Sequence, residues 1–155
     1  MPDMLFYRRA TASDLADIAV IEKIAGFNHW NKTQLAESLN NHVVYVSEIE
    51  GVICGFSIFS SVIDEAELLN IVVIPQYQGR SIGKGLLCHG ITDLSQQDIK
   101  TCFLEVATSN TGAIHLYRKV GFTDIALRKN YYQGLNGSED AIVMRLILEN
   151  ASCLS

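Results

Sequence analysis

The segment at residues 71–87, Ile-Val-Val-Ile-Pro-Gln-Tyr-Gln-Gly-Arg-Ser-Ile-Gly-Lys-Gly-Leu-Leu, decides the fold. It passes from an apolar, β-branched run through Pro75 into a glycine-punctuated turn, and then into apolar residues at helical spacing. This order predicts a strand that leads into the N terminus of a helix. The first N–H groups of a helix lack internal partners and lie at the positive end of its dipole, so the turn is suited to bind a phosphate group.

The chain has 155 residues, of which 48% are hydrophobic and 19% charged. That length predicts a single domain over residues 1–148 with a substantial core, followed by a frayed tail at residues 149–155. The sequence has neither the run of about 18 apolar residues that a membrane span needs nor the pattern of a secretory signal. Its four cysteines are scattered, which favours a reducing compartment, and we expect a cytoplasmic protein without a membrane partner.

The formal net charge is -5, which disfavours nucleic acid as a direct ligand because nucleic-acid-binding faces are normally basic. The charge weakly favours a basic partner. The histidines show no metal-ligand spacing and no arrangement typical of a Ser-His-Asp triad, so we expect no metal. Those histidines are His29, His42, His89 and His115.

Hydrophobic periodicity predicts a mixed α+β fold around the central segment. Helices are expected at residues 13–25, 32–39 and 82–96, and between the capping residues 108–110 and Gly121. Strands are expected at residues 5–9, 43–48, 52–61, 65–74, 101–106, 122–127 and 141–148, with a long loop at residues 130–140. The fourth and fifth strands, separated by a helix, predict a right-handed βαβ unit, whereas the three strands at residues 43–74 predict an antiparallel meander.

Two common phosphate-binding motifs do not fit the glycine turn. A Walker loop needs four residues between its first glycine and the Gly-Lys-Ser/Thr. Here only three residues separate Gly79 from Gly83, and a glycine instead of Ser or Thr follows Lys84. A dinucleotide fingerprint that starts at Gly83 would need glycine at Cys88 and would lie inside the helix. Nucleotide triphosphatases and dinucleotide-dependent enzymes are therefore disfavoured.

Residues 75–83 resemble the pyrophosphate loop of the GCN5-related N-acetyltransferase (GNAT) superfamily, Gln/Arg-x-x-Gly-x-Gly/Ala after a strand, a proline and an aromatic residue. Ser81 stands where the first motif glycine is usual. A second register that starts at Arg80 matches every position but lies two residues further from the proline, inside the helical repeat, so the first is preferred. The resemblance implies the GNAT fold, a mixed and mostly antiparallel sheet of about seven strands with about four helices, and acetyl-coenzyme A as cosubstrate.

Further segments look like the RimI branch of this superfamily. They lie at residues 64–73, 104–110, 113–122, 128–132 and 139–141. The resemblance implies an acetyl-coenzyme A-dependent Nα-acetyltransferase acting on the N-terminal alanine of small ribosomal subunit protein eighteen. Two alternatives stay open, namely another amine as acceptor (a lysine side chain, a polyamine or an aminoglycoside) and a non-catalytic acyl-coenzyme A binding module.

Two residues are candidates for catalysis. Glu105 lies at the carboxyl end of the strand predicted to run parallel to the central one, which is where ligands of βαβ units bind. Tyr117 lies two helical turns after Asn110 and on nearly the same face. The resemblance implies that Glu105 is the base and that Tyr117 protonates the departing thiolate. A solvated strand-end carboxylate and a core tyrosine are the simpler interpretations.

The resemblance also implies a cofactor site along the central segment. Ile71, Val72 and Val73 are expected to offer backbone groups to the pantetheine arm and the thioester, and Asn110 to contact that arm, although helix capping explains Asn110 equally well. The residues expected near the pyrophosphate are Gly79, Arg80, Ser81, Ile82, Gly83 and Lys84.

Candidates for the acceptor-peptide cleft are Phe27, Trp30, Glu65 and Tyr131. Phe27 and Trp30 lie in a connecting loop, where large aromatic side chains line a cleft or cover the core between two helices.

Overall fold

The computed structural model describes residues 4–134 and 137–154. The first half contains β1 (Leu5–Arg9), α1 (Leu15–Ala25), α2 (Lys32–Asn41), β2 (Val43–Ile49), β3 (Val52–Val62) and β4 (Glu65–Val73). The second half contains α3 (Ile82–Gln96), β5 (Thr101–Ala107), α4 (Thr111–Val120), β6 (Thr123–Gly134) and β7 (Gly137–Ile147). The strands form a seven-stranded sheet in the order β1-β2-β3-β4-β5-β7-β6.

The predicted fold class is confirmed. The sheet is mixed and mostly antiparallel. Strand β4 pairs in parallel with β5, to which it is joined through α3, whereas the pairings of β1 with β2, β2 with β3, β5 with β7 and β6 with β7 are antiparallel. The bounds of α3 coincide with the predicted helix at residues 82–96. None of the helices within the described residues has both the length and the apolarity needed to cross a membrane.

The chain divides into two compact units. The first comprises Met1–Ser61 and Leu68–Gly90, and the second comprises Val62–Glu67 and Ile91–Ser155. The residues of β4 are therefore shared, with Glu65–Glu67 in the second unit and the remainder in the first.

The first unit has a core between two helices and the first strands. Apolar residues at helical spacing on α1, Ile18 and Ile21, pack with Leu35 of α2 against the sheet. The sheet residues of this cluster are Val44, Val46, Ile53, Phe56, Ile58 and Val72. The predicted capping box before α1 is present, since Thr11 N donates to Asp14 Oδ2 at 2.8 Å.

Close packing against β1 explains one glycine of α3. A Cβ on Gly85 would collide with the hydroxyl end of Tyr7, so only glycine lets the helix approach this closely. The predicted hairpin turn between β2 and β3 is also present, with Glu50 and Gly51 at φ 51° and 81°, the signs that a type I′ turn requires.

The second unit is built on β5. It pairs in parallel with β4 from Glu65↔Thr101 to Glu67↔Phe103, and antiparallel with β7 over its whole length. Helix α4 buries Ile114, Tyr117 and Val120 and ends at Gly121, whose φ of 125° confirms the predicted glycine cap.

The prediction of a long loop at residues 130–140 is wrong. Strand β6 continues to Gly134, and β7 already begins at Gly137. A register shift between Arg128 and Tyr132 accommodates Asn130, whose φ is 57° and whose N–H donates to Asp140 Oδ1 at 2.9 Å. Asn130 therefore lies in a bulge of β6, and Gly134 and Gly137, the glycines that suggested a loop, lie at the ends of the two paired strands.

The segment that follows β7 contains two 3-10 turns up to Leu154. Leu148–Asn150 and Ser152–Leu154 form 3-10 turns, and the intervening Ala151 is only 5% exposed. Ser152 Oγ donates to Lys119 O at 3.1 Å, which ties this segment to the end of α4.

A buried carboxylate on α1 was not anticipated. Glu22 is 0% exposed and accepts hydrogen bonds from Asn70 Nδ2 at 3.0 and 3.3 Å and from Trp30 N at 3.3 Å. Nearby, Asn28 Nδ2 donates to Leu69 O at 3.3 Å. The connection between α1 and α2 is thus tied to β4 within the first unit by a buried carboxylate and by an exposed hydrogen bond from Asn28.

We predict that Glu22→Ala lowers the free energy of unfolding by about 2–3 kcal/mol, because it leaves the Asn70 amide and the Trp30 N–H without their acceptor. Chemical denaturation measures this change. Glu37→Ala, at an exposed position of α2, is the control and should stay within about 0.5 kcal/mol of the original protein. Equal effects of the two substitutions would contradict a special role for the buried carboxylate.

Candidate active site

Glu105, the predicted base, lies on β5 with its side chain 21% exposed. Its Oε1 accepts a hydrogen bond from Arg128 Nη1 at 2.5 Å, and its backbone oxygen accepts one from Tyr132 Oη at 3.5 Å. Both partners come from β6. The carboxylate is therefore held in place by charge and open to solvent on one side.

Tyr131, a predicted acceptor-site residue, belongs to the same cluster. The guanidinium carbon of Arg128 lies 4.6 Å from the Tyr131 ring centre, and the Tyr131 and Tyr132 rings meet edge to face at 5.1 Å. A hydrogen bond to the Glu105 carboxylate raises the pKa of the Tyr131 phenol above its usual value. The structure thus brings Tyr131 together with Glu105.

Glu67 is the second carboxylate of this cluster. It pairs with Phe103 in the parallel ladder, two positions before Glu105 on β5. Burial, and then the negative charge of Glu105, raise the pKa of Glu67, whereas Arg128 lowers it. Glu65, which was the predicted acceptor-site residue, pairs with Thr101 instead and lies about 13 Å from Glu105 along the strands.

Tyr117, the predicted acid, is 6% exposed and packs edge to face on Phe122 with ring centres 5.8 Å apart. Burial raises the pKa of its phenol well above the usual value, and Tyr132 and Cys102 add smaller contributions in the same direction. The hydroxyl is therefore protonated throughout the neutral range. Tyr132 interacts electrostatically with both Tyr117 and Glu105 and links the two candidates.

Asn110 caps α4, as its Oδ1 accepts from Ala113 N at 3.4 Å. The turn that carries Asn110 is braced from β7, where Glu139 Oε1 accepts from Ser109 N at 2.6 Å and from Thr108 Oγ1 at 3.4 Å. These hydrogen bonds, above all those from Ser109, hold the pKa of Glu139 below its usual value. The helix start is thereby fixed from two sides.

The glycine turn lies in the first unit, between the end of β4 and the start of α3. Gln78 Nε2 donates back to Val73 O at 2.9 Å, and Gly79 adopts φ 83°, which favours glycine. Ser81 adopts φ 61°, also in the left-handed region, and its carbonyl accepts from Gly85 N at 3.0 Å in the first turn of the helix. The backbone of Ser81 explains why glycine is usual at this motif position.

The surroundings of this turn fit a phosphate group. The N–H groups of Ile82, Gly83 and Lys84 belong to the first turn of α3, where amides have no partner within the helix. A Cβ built on Gly79 meets no atom within 4 Å, so the turn is open on that side. Arg80 is exposed, with its guanidinium carbon 5.3 Å from the Tyr77 ring centre, and adds positive charge.

Burial limits what several predicted cofactor residues can offer. Val72 is 6% exposed and Ile82 only 1%, so these two can contribute backbone groups but no side-chain contact. Ile71 and Val73 alternate with Val72 along β4 and are partly exposed, as is Lys84 on α3.

The two aromatic residues of the α1–α2 connection differ in environment. Trp30 is partly buried against the core of the first unit, which supports the covering role that was one of its two interpretations. Phe27 is 50% exposed and thus available for contact with an acceptor.

Arg128 and Tyr132 were missed as site residues in the sequence. Their contacts with Glu105 depend on β6 lying beside β7, which itself pairs with β5. Strand order at the edge of a sheet is not encoded in local periodicity. The sequence therefore indicated a role for Arg128 only through its charge and its position three residues before Tyr131. Among the described residues, no three His, Cys, Asp or Glu side chains are grouped so that they could hold a metal ion.

We predict that Ser81→Gly raises the free energy of unfolding by about 1 kcal/mol, because glycine adopts a positive φ without the Cβ clash that serine carries. Thermal or urea unfolding measures the gain. Ser61→Gly, at an exposed position of β3, is the matched control and should destabilise instead, since glycine weakens a strand. A loss of stability in Ser81→Gly would show that the left-handed backbone at this position carries no strain.

Comparisons with known proteins agree with this geometry. Residues 10–122 match the model of the acetyltransferase (GNAT) family. The chain is 38% identical over 135 residues to the ribosomal protein bS18-alanine N-acetyltransferase of Escherichia coli strain K12, covering 86% of this chain and 91% of that protein. It is also 38% identical over 139 residues to the enzyme of the same name from Haemophilus influenzae, covering 88% and 94%.

The fold agrees equally well. The crystal structure of the ribosomal-protein-S18-alanine N-acetyltransferase from Escherichia coli superposes with a TM-score of 0.89 at 35% sequence identity, covering 94% of both chains. The family match spans the glycine turn, Glu105 and Tyr117. The protein belongs to the GNAT family of acetyltransferases.

Proposed function

We propose that this enzyme transfers the acetyl group of acetyl-coenzyme A to the N-terminal α-amino group of a protein, and that its acceptor is the N-terminal alanine of ribosomal protein bS18. The main support is the cluster of Glu105, Tyr132 and Tyr117 in the second unit, which supplies a carboxylate and a protonated phenol. The bS18-specific relatives, which match this chain over most of its length, support the choice of acceptor.

The acceptor must lose a proton to become a nucleophile. A free α-amino group has a pKa near about 8, so roughly a tenth of it is neutral at pH 7 and the base has a modest task. In our proposal the Glu105 carboxylate accepts one proton from the acceptor ammonium, whose nitrogen then forms the amide bond with the acetyl carbon. This requires the ammonium within hydrogen-bond reach of Glu105, directly or through one water.

The second proton that the nitrogen loses on forming the amide ends on the departing sulfur, which accepts a hydrogen bond from the Tyr117 hydroxyl. A thiol has an ordinary pKa of about 8.5, and burial raises the pKa of Tyr117 above its ordinary value of about 10, so complete transfer to a free thiolate is uphill. The phenol therefore acts by donating a hydrogen bond that strengthens as the C–S bond breaks. Its burial keeps it protonated and keeps competing water away.

In the first unit, the backbone at Ile71, Val72 and Val73 is proposed to bind the pantetheine arm and thioester. The pyrophosphate is assigned to the turn formed by Gly79, Arg80, Ser81, Ile82, Gly83 and Lys84. In the second unit, Asn110 is proposed to contact the pantetheine arm. Acetyl-coenzyme A supplies an activated acyl group. The residues of the chain orient that group, accept a proton from the acceptor and donate a hydrogen bond to the departing sulfur.

The acceptor side carries aromatic and acidic residues. Tyr131 lies beside Glu105 in the second unit, and Phe27 is exposed in the first; both are proposed as acceptor residues, together with Trp30 and Glu65. A net charge of -5 suits a basic protein as acceptor.

Mass spectrometry after incubation with acetyl-coenzyme A tests the acceptor. Three acceptors are compared, namely a peptide that begins with the alanine of bS18, a copy of it with a blocked N terminus and an internal lysine, and a polyamine. We expect one acetyl group, on the α-nitrogen of the first peptide. Acetylation of the lysine peptide or the polyamine alone would assign a different amine, and coenzyme A binding without turnover would make the protein a binding module.

We predict that Tyr117→Phe lowers kcat by about 100-fold and leaves the KM for the peptide close to its original value, since the packing is kept and only the proton is lost. Steady-state thiol-release kinetics measure both constants. Tyr45→Phe, a fully buried tyrosine in the core of the first unit, is the matched control and should keep kcat within about twofold. An unchanged kcat in Tyr117→Phe would remove this residue from the mechanism.

A further inference from the structure

One feature of the site conflicts with a simple role for Glu105 as base. The Glu105 carboxylate, which must bind the acceptor ammonium, already forms an ion pair with Arg128, whose Nη1 lies 2.5 Å from Glu105 Oε1. The guanidinium is also stacked over the Tyr131 ring at 4.6 Å, and Tyr131 itself interacts with the same carboxylate. The approach to Glu105 is thus occupied by the chain's own positive group.

This ion pair is of the kind that opens easily. The Arg128 side chain is 51% exposed and the Glu105 side chain 21%, so solvent reaches the pair and screens it. Exposed pairs contribute little net stability because they exchange hydration for a single fixed geometry. A competing ammonium can therefore replace the guanidinium on Glu105 at small cost.

A second carboxylate is available to the displaced guanidinium. Glu67 lies on β4, beside Phe103 in the ladder, and interacts electrostatically with both Glu105 and Arg128. On β7, the residue paired with Glu105 is the uncharged Val143. The two carboxylates and one guanidinium leave one negative charge unmatched, and a single ammonium balances it.

We propose that Arg128 is a specificity-determining residue that competes with the acceptor: its guanidinium occupies Glu105 in the absence of acceptor and passes to Glu67 when the acceptor ammonium binds Glu105. The inference rests on the proposed acetyl transfer to a charged α-amine. It follows that an acceptor binds Glu105 only if it is a cation able to displace the Arg128 guanidinium. A neutral or blocked amino group does not displace it.

A double-mutant cycle tests this exchange through the KM of the alanine-first peptide. Arg128→Gln removes the competitor and should lower that KM about three- to fivefold, with a smaller change in kcat. Glu67→Gln removes the alternative partner, leaves Arg128 on Glu105 and should raise the KM by a similar factor. In the double variant the Glu67 substitution should have no effect beyond that of Arg128→Gln alone.

Two further variants control for structural effects. Arg128→Lys keeps a cation and should restore the KM toward the original value. Arg118→Gln breaks another exposed ion pair of the second unit, with Asp124 at 2.8 Å, and should leave the KM unchanged. A raised KM in Arg128→Gln would overturn the proposal, and so would a Glu67→Gln effect that persists in the double variant, since Glu67 would then contact the acceptor directly.

A measurement without turnover separates this inference from the proposed function. The ¹⁵N signal of the Arg128 side chain, assigned by its loss in Arg128→Gln, should shift when L-alaninamide is added but not when N-acetyl-L-alaninamide is added. A signal that stays unchanged with both compounds would contradict the exchange even if the enzyme acetylates peptides. A shift in a protein that fails to acetylate the alanine-first peptide would leave the exchange supported and the proposed acceptor wrong.

Discussion

The parallel pairing of β4 with β5 is the constraint on which the rest of the structure depends. Parallel neighbours need a crossover, which α3 supplies, and the glycine turn joins the end of β4 to the start of that helix. The left-handed backbone at Gly79 and Ser81 turns the chain into that helix. The same pairing sets Glu67 beside Phe103, two positions before Glu105, and β5 then leads into the capped start of α4. The β4–β5 pairing therefore sets the position of the carboxylate cluster within the second unit.

In the second unit, a buried phenol and a partly exposed carboxylate have different roles. Tyr117 is removed from water, which favours its neutral form and keeps a proton on the oxygen. Glu105 stays near solvent, and its carboxylate is paired with the guanidinium of Arg128. A proton donor and a proton acceptor thus lie in one cluster, and Tyr132 interacts electrostatically with both of them. The same arrangement makes Arg128 a rival of any cationic acceptor.

Much of this fold followed from local patterns in the sequence. The apolar repeat between Ile82 and Leu94 predicted the bounds of α3, and the left-handed φ of Ser81 shows why glycine is usual at that position of the motif. The β6–β7 hairpin was predicted to be a loop, because glycines at the ends of strands and residues in a bulge resemble the residues of a loop. The contacts of Glu22 with Asn70 and of Arg128 with Glu105 join residues 48 and 23 positions apart, and no local periodicity reports such contacts.

The central claim is that the acceptor nitrogen binds at Glu105. A crystal structure of the enzyme with coenzyme A and the alanine-first bS18 peptide measures this most directly. We predict that the α-nitrogen lies about 2.6–3.2 Å from a Glu105 oxygen, or one bridging water away, with the guanidinium of Arg128 turned toward Glu67. An α-nitrogen bound out of reach of Glu105, with the Arg128–Glu105 pair intact, would contradict the account.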